Sequence, residues 1–232
     1  MGKSAIFENI KKEFLGWKSF EIICAVIVLL IILFNSIFLH DSIVAIISAL
    51  CGLTYTLFAG KGKISCYLFG LTGSCFYGYL AYSNCFYGNF ALYVLYYIPM
   101  QIVGIFNWKK HLRKETNEIY KTFLNFKQRI ILGIVSAIIC IVSVGILYIL
   151  KDSNPLLDGC ATALSLVGMY LTVKRCIEQW VVWFIVNLLS VIMWIIVVSQ
   201  GEKVNSTVLM WFIYLLLAGY FYREWKKELT ES

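Results

Sequence analysis

The sequence predicts an all-α membrane protein of eight transmembrane helices, in which one extra N-terminal helix precedes two parallel three-helix repeats joined by a linker helix, a 1 + (3+1+3) plan. Three observations carry this prediction. Hydrophobic residues make up 60% of the 232 and charged residues only 14%, where a soluble domain carries about a quarter charged. Apolar runs of about 20 residues, enough to cross a hydrocarbon core about 30 Å thick, recur along the whole chain. The basic residues fall almost entirely into every second connection.

The first span, Phe20–Leu39, is an unbroken aliphatic run. It is longer than the core of a cleaved signal peptide and has no small-residue cleavage site after it, so it reads as an extra transmembrane helix within residues 19–41. Before it, Ile6, Phe7, Ile10, Phe14 and Trp17 recur at helical spacing with lysines between them, which makes residues 1–18 a cytoplasmic interfacial segment. Spans two to four, Ser42–Gly60, Ile64–Tyr82 and Gly88–Trp108, form a first triplet over residues 42–108. The basic cytoplasmic loop 109–129 follows, and then Ile130–Leu150, the linker helix of the stretch 130–154. Spans six to eight, Pro155–Val173, Gln179–Val198 and Asn205–Tyr222, form a second triplet over 155–225, with residues 226–232 as a cytoplasmic tail.

All but two of the 20 Lys and Arg residues lie on one side of these spans, the exceptions being Lys151 and Lys203. The positive-inside rule places that side, and with it both termini, in the cytoplasm. The net charge of +7 is accounted for by these loops and calls for no nucleic-acid partner. The eight cysteines contain no CxxC pair, and all but Cys85 and Cys176 lie in predicted spans as small hydrophobes. His40 and His111 sit at loop edges without a third ligand candidate, so no metal or other cofactor is predicted.

The two triplets have nearly the same length, and each ends in an aromatic helix closed by Trp-Lys-Lys, at Trp108 and at Trp225. Their starts also match: Ala49-Leu50 leads to Tyr55 and a basic turn, and Ala163-Leu164 leads to Tyr170 and a basic turn. Three spans invert the chain and the single linker span inverts it back, so both triplets cross the bilayer in the same sense. Parallel repeats of this kind are a transporter plan with the substrate bound near the midplane.

Candidate lining residues follow from helical periodicity. At about 100° per residue, Trp180, Trp183 and Asn187 fall within a sector of roughly 80°, and Ser190 and Trp194 continue that edge. Span four carries Tyr93, Tyr97, Gln101, Gly104 and Trp108 at steps of three or four, and span six carries Asp158, Thr162, Ser165, Met169 and Thr172. An amide facing lipid costs several kcal/mol, so such stripes turn inward. Gln101, Asn187 and Ser165 lie at one depth. Thr162 and Ser165 are equally explained by helix packing, Asp158 by capping of its helix, and Trp108 and Trp180 by the aromatic belt; Gly70-x-x-x-Ser74-x-x-x-Gly78 reads as a packing seam. An enzyme is not supported, because Asp158 and Glu178 stand without a nucleophile, base or metal set, and no Walker-type loop points to ATP-driven pumping.

Leu157-Asp158, Thr162, Leu164-Ser165, Arg175, Glu178-Gln179-Trp180, Trp183, Asn187 and Trp194, together with Tyr87-Gly88, Tyr97, Pro99-Met100-Gln101, Gly104 and Trp108, resemble the PnuC family of bacterial vitamin transporters. The resemblance covers roughly Ser42 to Trp225, and the W-x-x-W-x-x-x-N run is its most specific part. It implies a SWEET-like fold, a homotrimer in the bacterial cytoplasmic (inner) membrane, and facilitated diffusion of nicotinamide riboside, which intracellular phosphorylation then traps. Trp180 and Trp183 would flank the vitamin ring and Asn187 and Gln101 would bond its polar groups, with Tyr97, Ser165, Thr162 and Tyr93 completing the site. The pattern departs at Tyr93 and Leu217, where the family often has asparagine. Thiamine or riboflavin, and an ion coupled through Asp158, stay open as alternatives.

Tags at either end and on the loop 109–129 should report from the cytoplasm, and probes at Asp152 and Glu202 should label from outside. An external C-terminus would overturn the eight-span topology.

Overall fold

A computed structural model describes residues 11–38, 40, 42–83, 87–113, 115–151, 154–200 and 205–231. Among these residues there are no strands, and helices account for each predicted span. They are α1 (Ser19–Phe38), α2 (Ile43–Gly60), α3 (Cys66–Ser83), α4 (Tyr87–Leu92), α5 (Ile98–Lys109), α6 (Phe126–Ile149), α7 (Pro155–Val173), α8 (Glu178–Ser199) and α9 (Asn205–Glu231). Six stretches are long and apolar enough to cross a membrane: α1, α2, Phe90–Lys109, α6, α7 and α8. In α3 glycine, serine and tyrosine dilute the aliphatic content, and α9 runs on from the predicted Tyr222 into its charged end at Glu231.

Between α4 and α5 the backbone is a π-helical turn, Tyr93–Tyr97, closed by the Ile98 N–H on the Tyr93 carbonyl. Pro99 explains it. Proline has no N–H for the carbonyl four residues back and its ring collides with that carbonyl, so the preceding turn widens by one residue.

The chain divides into two compact units, Met1–Tyr120 and Lys121–Ser232, and the boundary falls inside the predicted loop 109–129. In the first unit α3 packs against α2 and against the π turn and α5, and α1 packs on α2. In the second, α6 packs on α7, α7 on α8, and α8 on α9. α6 has no buried residue. It comes close to α7 at Gly159, where an added Cβ would lie 2.8 Å from the Val144 backbone. Leu132 and Ile139 of α6 pack against Val167, Leu171 and Cys176, while Ile130, Ile131, Ile134, Ile138 and Ile141 are exposed, as suits a helix with one face toward lipid.

The turns between α2 and α3 and between α7 and α8 have the same backbone. Gly62 has φ +67° and Arg175 φ +62°. The Lys63 N–H returns to the Phe58 carbonyl at 2.9 Å and the Cys176 N–H to the Leu171 carbonyl at 3.1 Å, which is the long bond of a Schellman end. The next helix begins alike in both, with Cys66 N–H on the Lys63 carbonyl and Gln179 N–H on the Cys176 carbonyl, each at 3.1 Å. Gly62 therefore corresponds to Arg175, an offset of 113 residues. At this offset Leu57 corresponds to Tyr170, and Tyr55 to Gly168.

Each turn is locked by the segment that follows the triplet or precedes α6. In the first unit the Gly62 carbonyl accepts the Ile119 N–H at 3.0 Å, and in the second the Arg175 carbonyl accepts the Thr122 N–H at 2.9 Å. Thr122 Oγ1 lies 3.2 Å from the same Arg175 carbonyl oxygen and 3.5 Å from Cys176 Sγ. Burial pushes the Cys176 thiol up, against the pull of the Thr122 hydrogen bond.

Lys63, which the charge count assigns to the cytoplasmic side, is fully buried. Its ammonium donates to the Lys12 carbonyl at 3.0 Å and the Thr116 carbonyl at 2.8 Å, and pairs with Glu118 at 3.1 Å. Around it, Lys61 pairs with Glu21 at 2.6 Å and Ser65 donates to Glu13, while Trp17 packs on Phe58. Residues 11–18 are thus fastened to the end of α2; the predicted interfacial positions Ile6, Phe7 and Ile10 lie outside the described residues.

Lys63→Met should lower stability by about 3 kcal/mol, because removing one partner leaves a carboxylate and two carbonyls without their cation. The check is the melting temperature of the purified variant beside Lys61→Met, whose ammonium is less enclosed and whose loss should cost less.

Candidate substrate site

In the second unit, α8 turns Gln179, Trp180, Val186, Asn187, Ser190 and Val191 inward, which is the edge the helical periodicity predicts. Trp183, on the same edge, is half-buried. Its ring lies on Gly168 of α7, where a Cβ would sit 2.9 Å from Cε2 and 3.1 Å from Cζ2. Its indole N–H donates to Thr172 Oγ1 at 3.2 Å, and that hydroxyl donates in turn to the Gly168 carbonyl at 2.9 Å. Asn187 is 5% exposed, one turn further along the helix. Its amide makes no side-chain hydrogen bond among the described residues, which leaves its donors and acceptor for another partner.

Trp180 goes elsewhere in the packing. It is 3% exposed, with its ring 5.2 Å from Phe221 and 5.7 Å from Trp225 of α9, the latter edge-on at 79°. Its indole N–H and the Gln179 amide nitrogen are buried without a hydrogen-bond partner among the described residues. Thr162 donates to Asp158 at 3.4 Å and Ser165 to the Ala161 carbonyl at 2.7 Å, so both hydroxyls are engaged within α7. Asn154 occupies the N-cap of α7 but makes no side-chain capping bond there, and Asp158 in the first turn accepts from Thr162.

In the first unit, Gln101 of α5 is 5% exposed. Its amide donates to Ser74 Oγ of α3 at 2.7 Å, while its Oε1 is buried with no partner. Gly70 gives it room: a Cβ there would lie 2.6 Å from Gln101 Oε1 and 2.7 Å from the Tyr55 ring. The predicted seam Gly70, Ser74, Gly78 is realised only in part. Gly73 takes the close contact, against Cys51 at 3.1 Å, and a Cβ on Gly78 would meet nothing within 4 Å. The π turn stacks Tyr93 against Tyr97 at 4.9 Å and against Tyr77 of α3 at 4.4 Å. Because a π turn holds more than four residues, Tyr93 and Tyr97 fall directly over one another.

The two units match again in their aromatic packing. Tyr67 meets Trp108 edge-on at 5.0 Å and 78°, and Trp180 meets Trp225 edge-on at 5.7 Å and 79°; the offset of 113 pairs Tyr67 with Trp180 and Trp108 with Phe221, which lies 5.2 Å from Trp180 in a tilted contact. Trp108 is fully buried, which assigns it to this core contact rather than to an aromatic belt. The same offset pairs Tyr55 with Gly168 and Gly70 with Trp183. Each unit therefore has a ring laid on a glycine across its first helix pair, but the ring comes from the first helix in one unit and from the second in the other.

Sequence reasoning passes over Gly168, Tyr55 and Ser74 as site-forming residues. The spacing of Gly168 to Thr172, one helical turn, is the signal that was available. A surface cleft of about 280 Å³ lies elsewhere in the second unit, lined by Thr122, Gln128, Tyr170, Lys174 and neighbours; none of the predicted site residues borders it. Among the described residues no group of His, Cys, Asp and Glu could hold a metal.

Residues 42–227 match the family model described as nicotinamide mononucleotide transporter. The chain belongs to the PnuC family of membrane transporters. It is similar to the nicotinamide riboside transporter PnuC of Neisseria mucosa, at 34% identity over 94% of this chain and 85% of that one. It is also similar to the protein of the same name from Haemophilus influenzae, at 29% identity over 94% and 95% of the two chains. A crystal structure described as that of the vitamin B3 transporter PnuC superposes with a TM-score of 0.80 at 33% identity, covering 95% of this chain and 97% of that chain. PnuC proteins are transporters rather than enzymes, so the polar stripes of this multi-pass chain serve passage or packing and not bond-making chemistry.

Proposed function

We propose that this PnuC-family chain takes up nicotinamide riboside by facilitated diffusion, the product being trapped inside by phosphorylation. The observation that carries the reading is the pairing, on one edge of α8, of a half-buried Trp183 ring fixed on Gly168 with a buried Asn187 whose amide makes no side-chain hydrogen bond among the described residues. A pyridinium is flat and cationic, so an aromatic face attracts it, by about 2 kcal/mol or more once desolvated. Its carboxamide and ribose hydroxyls match free amides in type. The names of the Neisseria and Haemophilus relatives support the same substrate.

The proposed contacts are Trp183, Asn187 and Trp180 from the second unit, with Thr162 and Ser165 beside them. From the first unit they are Gln101, whose Oε1 has no partner, and Tyr97 and Tyr93. The finer architecture is proposed with them: α3 and α9 cross the bilayer beside the six apolar stretches, both termini are cytoplasmic in the inner membrane, and the chain forms a SWEET-like homotrimer. The matched turns at Gly62 and Arg175 support the parallel repeat.

On purified protein, nicotinamide riboside should bind more tightly than thiamine or riboflavin. Trp183→Ala should cost on the order of 1–3 kcal/mol, roughly 5- to 150-fold in affinity, the scale of one aromatic stack. Asn187→Leu should cost a similar amount by leaving a ligand group unpaired. Unchanged binding of all three vitamins by folded Trp183→Ala and Asn187→Leu would make this face ordinary helix packing.

Reconstituted vesicles should equilibrate labelled nicotinamide riboside without concentrating it, whatever proton or sodium gradient is imposed. Gradient-driven accumulation that disappears in Asp158→Asn would replace uniport with ion coupling.

A further inference from the structure

We propose that Gly168 and Thr172 are positioning residues that lock the Trp183 indole into one orientation and thereby set the class of ligand it accepts; the inference rests on the reading of Trp183 as a substrate contact. Three observations carry it. Gly168 is buried and its missing Cβ is the space the six-membered edge of the indole occupies, with Cε2 at 2.9 Å and Cζ2 at 3.1 Å from where that Cβ would stand. Any larger residue there lifts the ring off α7. Thr172 is 1% exposed, too enclosed to touch a ligand itself, and its hydroxyl accepts the indole N–H at 3.2 Å while donating to the Gly168 carbonyl at 2.9 Å. The hydroxyl is thus used on both sides, and the two bonds fix the rotation of the ring.

The chemical consequence concerns what Trp183 can offer. With its N–H spent on Thr172 and one face on Gly168, the half-buried indole has its other π face to offer and no donor. Such a surface favours a flat cation, through the ring quadrupole, over a neutral ring that needs a hydrogen-bond donor. The first unit lacks this device, because Gly70 stands at the position of Trp183 and Tyr55 at that of Gly168. Position 168 and position 172 are then determinants of charge selectivity one layer behind the ligand.

The experiment is a thermodynamic cycle on the full-length purified protein, with nicotinamide riboside and the neutral base nicotinamide as probes and melting temperature as the control for folding. Thr172→Val keeps the shape and removes the acceptor. It should weaken nicotinamide riboside binding roughly 2- to 10-fold, the range of one hydrogen bond, and narrow the preference over nicotinamide. Thr172→Ser should restore both, and Gly168→Ala should weaken binding at least as much as Thr172→Val. In a Trp183→Phe background, which has no N–H, Thr172→Val should have no further effect. The ¹⁹F resonance of 5-fluorotryptophan at position 183 should shift in Thr172→Val without any ligand present.

Additive losses in the Trp183→Phe background, or an unmoved resonance with unchanged affinity in Thr172→Val, overturn the lock. A shifted resonance with no change of affinity in any Trp183 or Thr172 variant leaves the lock in place as a packing device, and overturns instead its role in selectivity and the reading of Trp183 as a substrate contact.

Discussion

A ring laid on a glycine is the contact from which the rest of each unit follows. Within a bilayer the lipid tails are as apolar as leucine, so helices gain nothing by hiding aliphatic surface from each other and must gain it from close van der Waals fit. Gly70 under Tyr55, Gly168 under Trp183, and Gly159 against the Val144 backbone supply that fit. Once α2 and α3, or α7 and α8, close to that distance, the turn between them has little freedom. Both turns adopt the same left-handed residue and the same long return bond, at Gly62 and at Arg175. Arginine there carries the steric cost of positive φ that glycine avoids, and the Thr122 backbone bond to its carbonyl holds it in place.

The second constraint is that a polar group in the membrane must find a partner. The hydroxyls do so locally: Thr54, Thr56, Thr72, Ser165 and Thr172 each donate to the carbonyl one turn back. Serine and threonine are therefore cheap in a span and say little about function. Side-chain amides cannot satisfy themselves this way, since each brings two donors and an acceptor. Gln101 places its amide nitrogen on Ser74 and leaves its oxygen buried and unpaired, and Asn187 is buried with its whole amide in hand. A buried unpaired amide group costs about 1–3 kcal/mol, and a ligand that completes it recovers that cost on binding.

The fold was legible because span length and charge alternation are imposed by the solvent, not by the particular packing. The ends of α1 to α8 fall within a few residues of the apolar runs for that reason, and the edge of α8 carrying Trp183 and Asn187 follows from periodicity alone. What periodicity cannot give is which neighbour a side chain chooses. Trp180 and Trp183 lie three residues apart on one face, yet Trp180 joins Phe221 and Trp225 while Trp183 turns to Gly168 and Thr172. Lys63 looked like any loop lysine, because the groups that bury it, Lys12, Thr116 and Glu118, come from segments some fifty residues away on both sides. The π turn at Tyr93–Tyr97 needed Pro99 to be read as a register shift rather than as a helix start.

The register of the internal match was hidden by the same large-for-small exchange that gives the second unit its character. A residue-by-residue comparison sees tyrosine opposite glycine at 55 and 168, and glycine opposite tryptophan at 70 and 183, and counts two mismatches. Packing sees a ring on a glycine in both units, with the two partners exchanged. The ring is anchored on α2 in one unit and on α8 in the other. On α8 the ring stands one turn from Asn187, so a flat face and an unpaired amide share an edge; on α2 the ring of Tyr55 leaves Gly70 as the floor beneath Gln101. The two units thus carry the aromatic surface and the amides in different combinations, while each helix pair closes on a glycine.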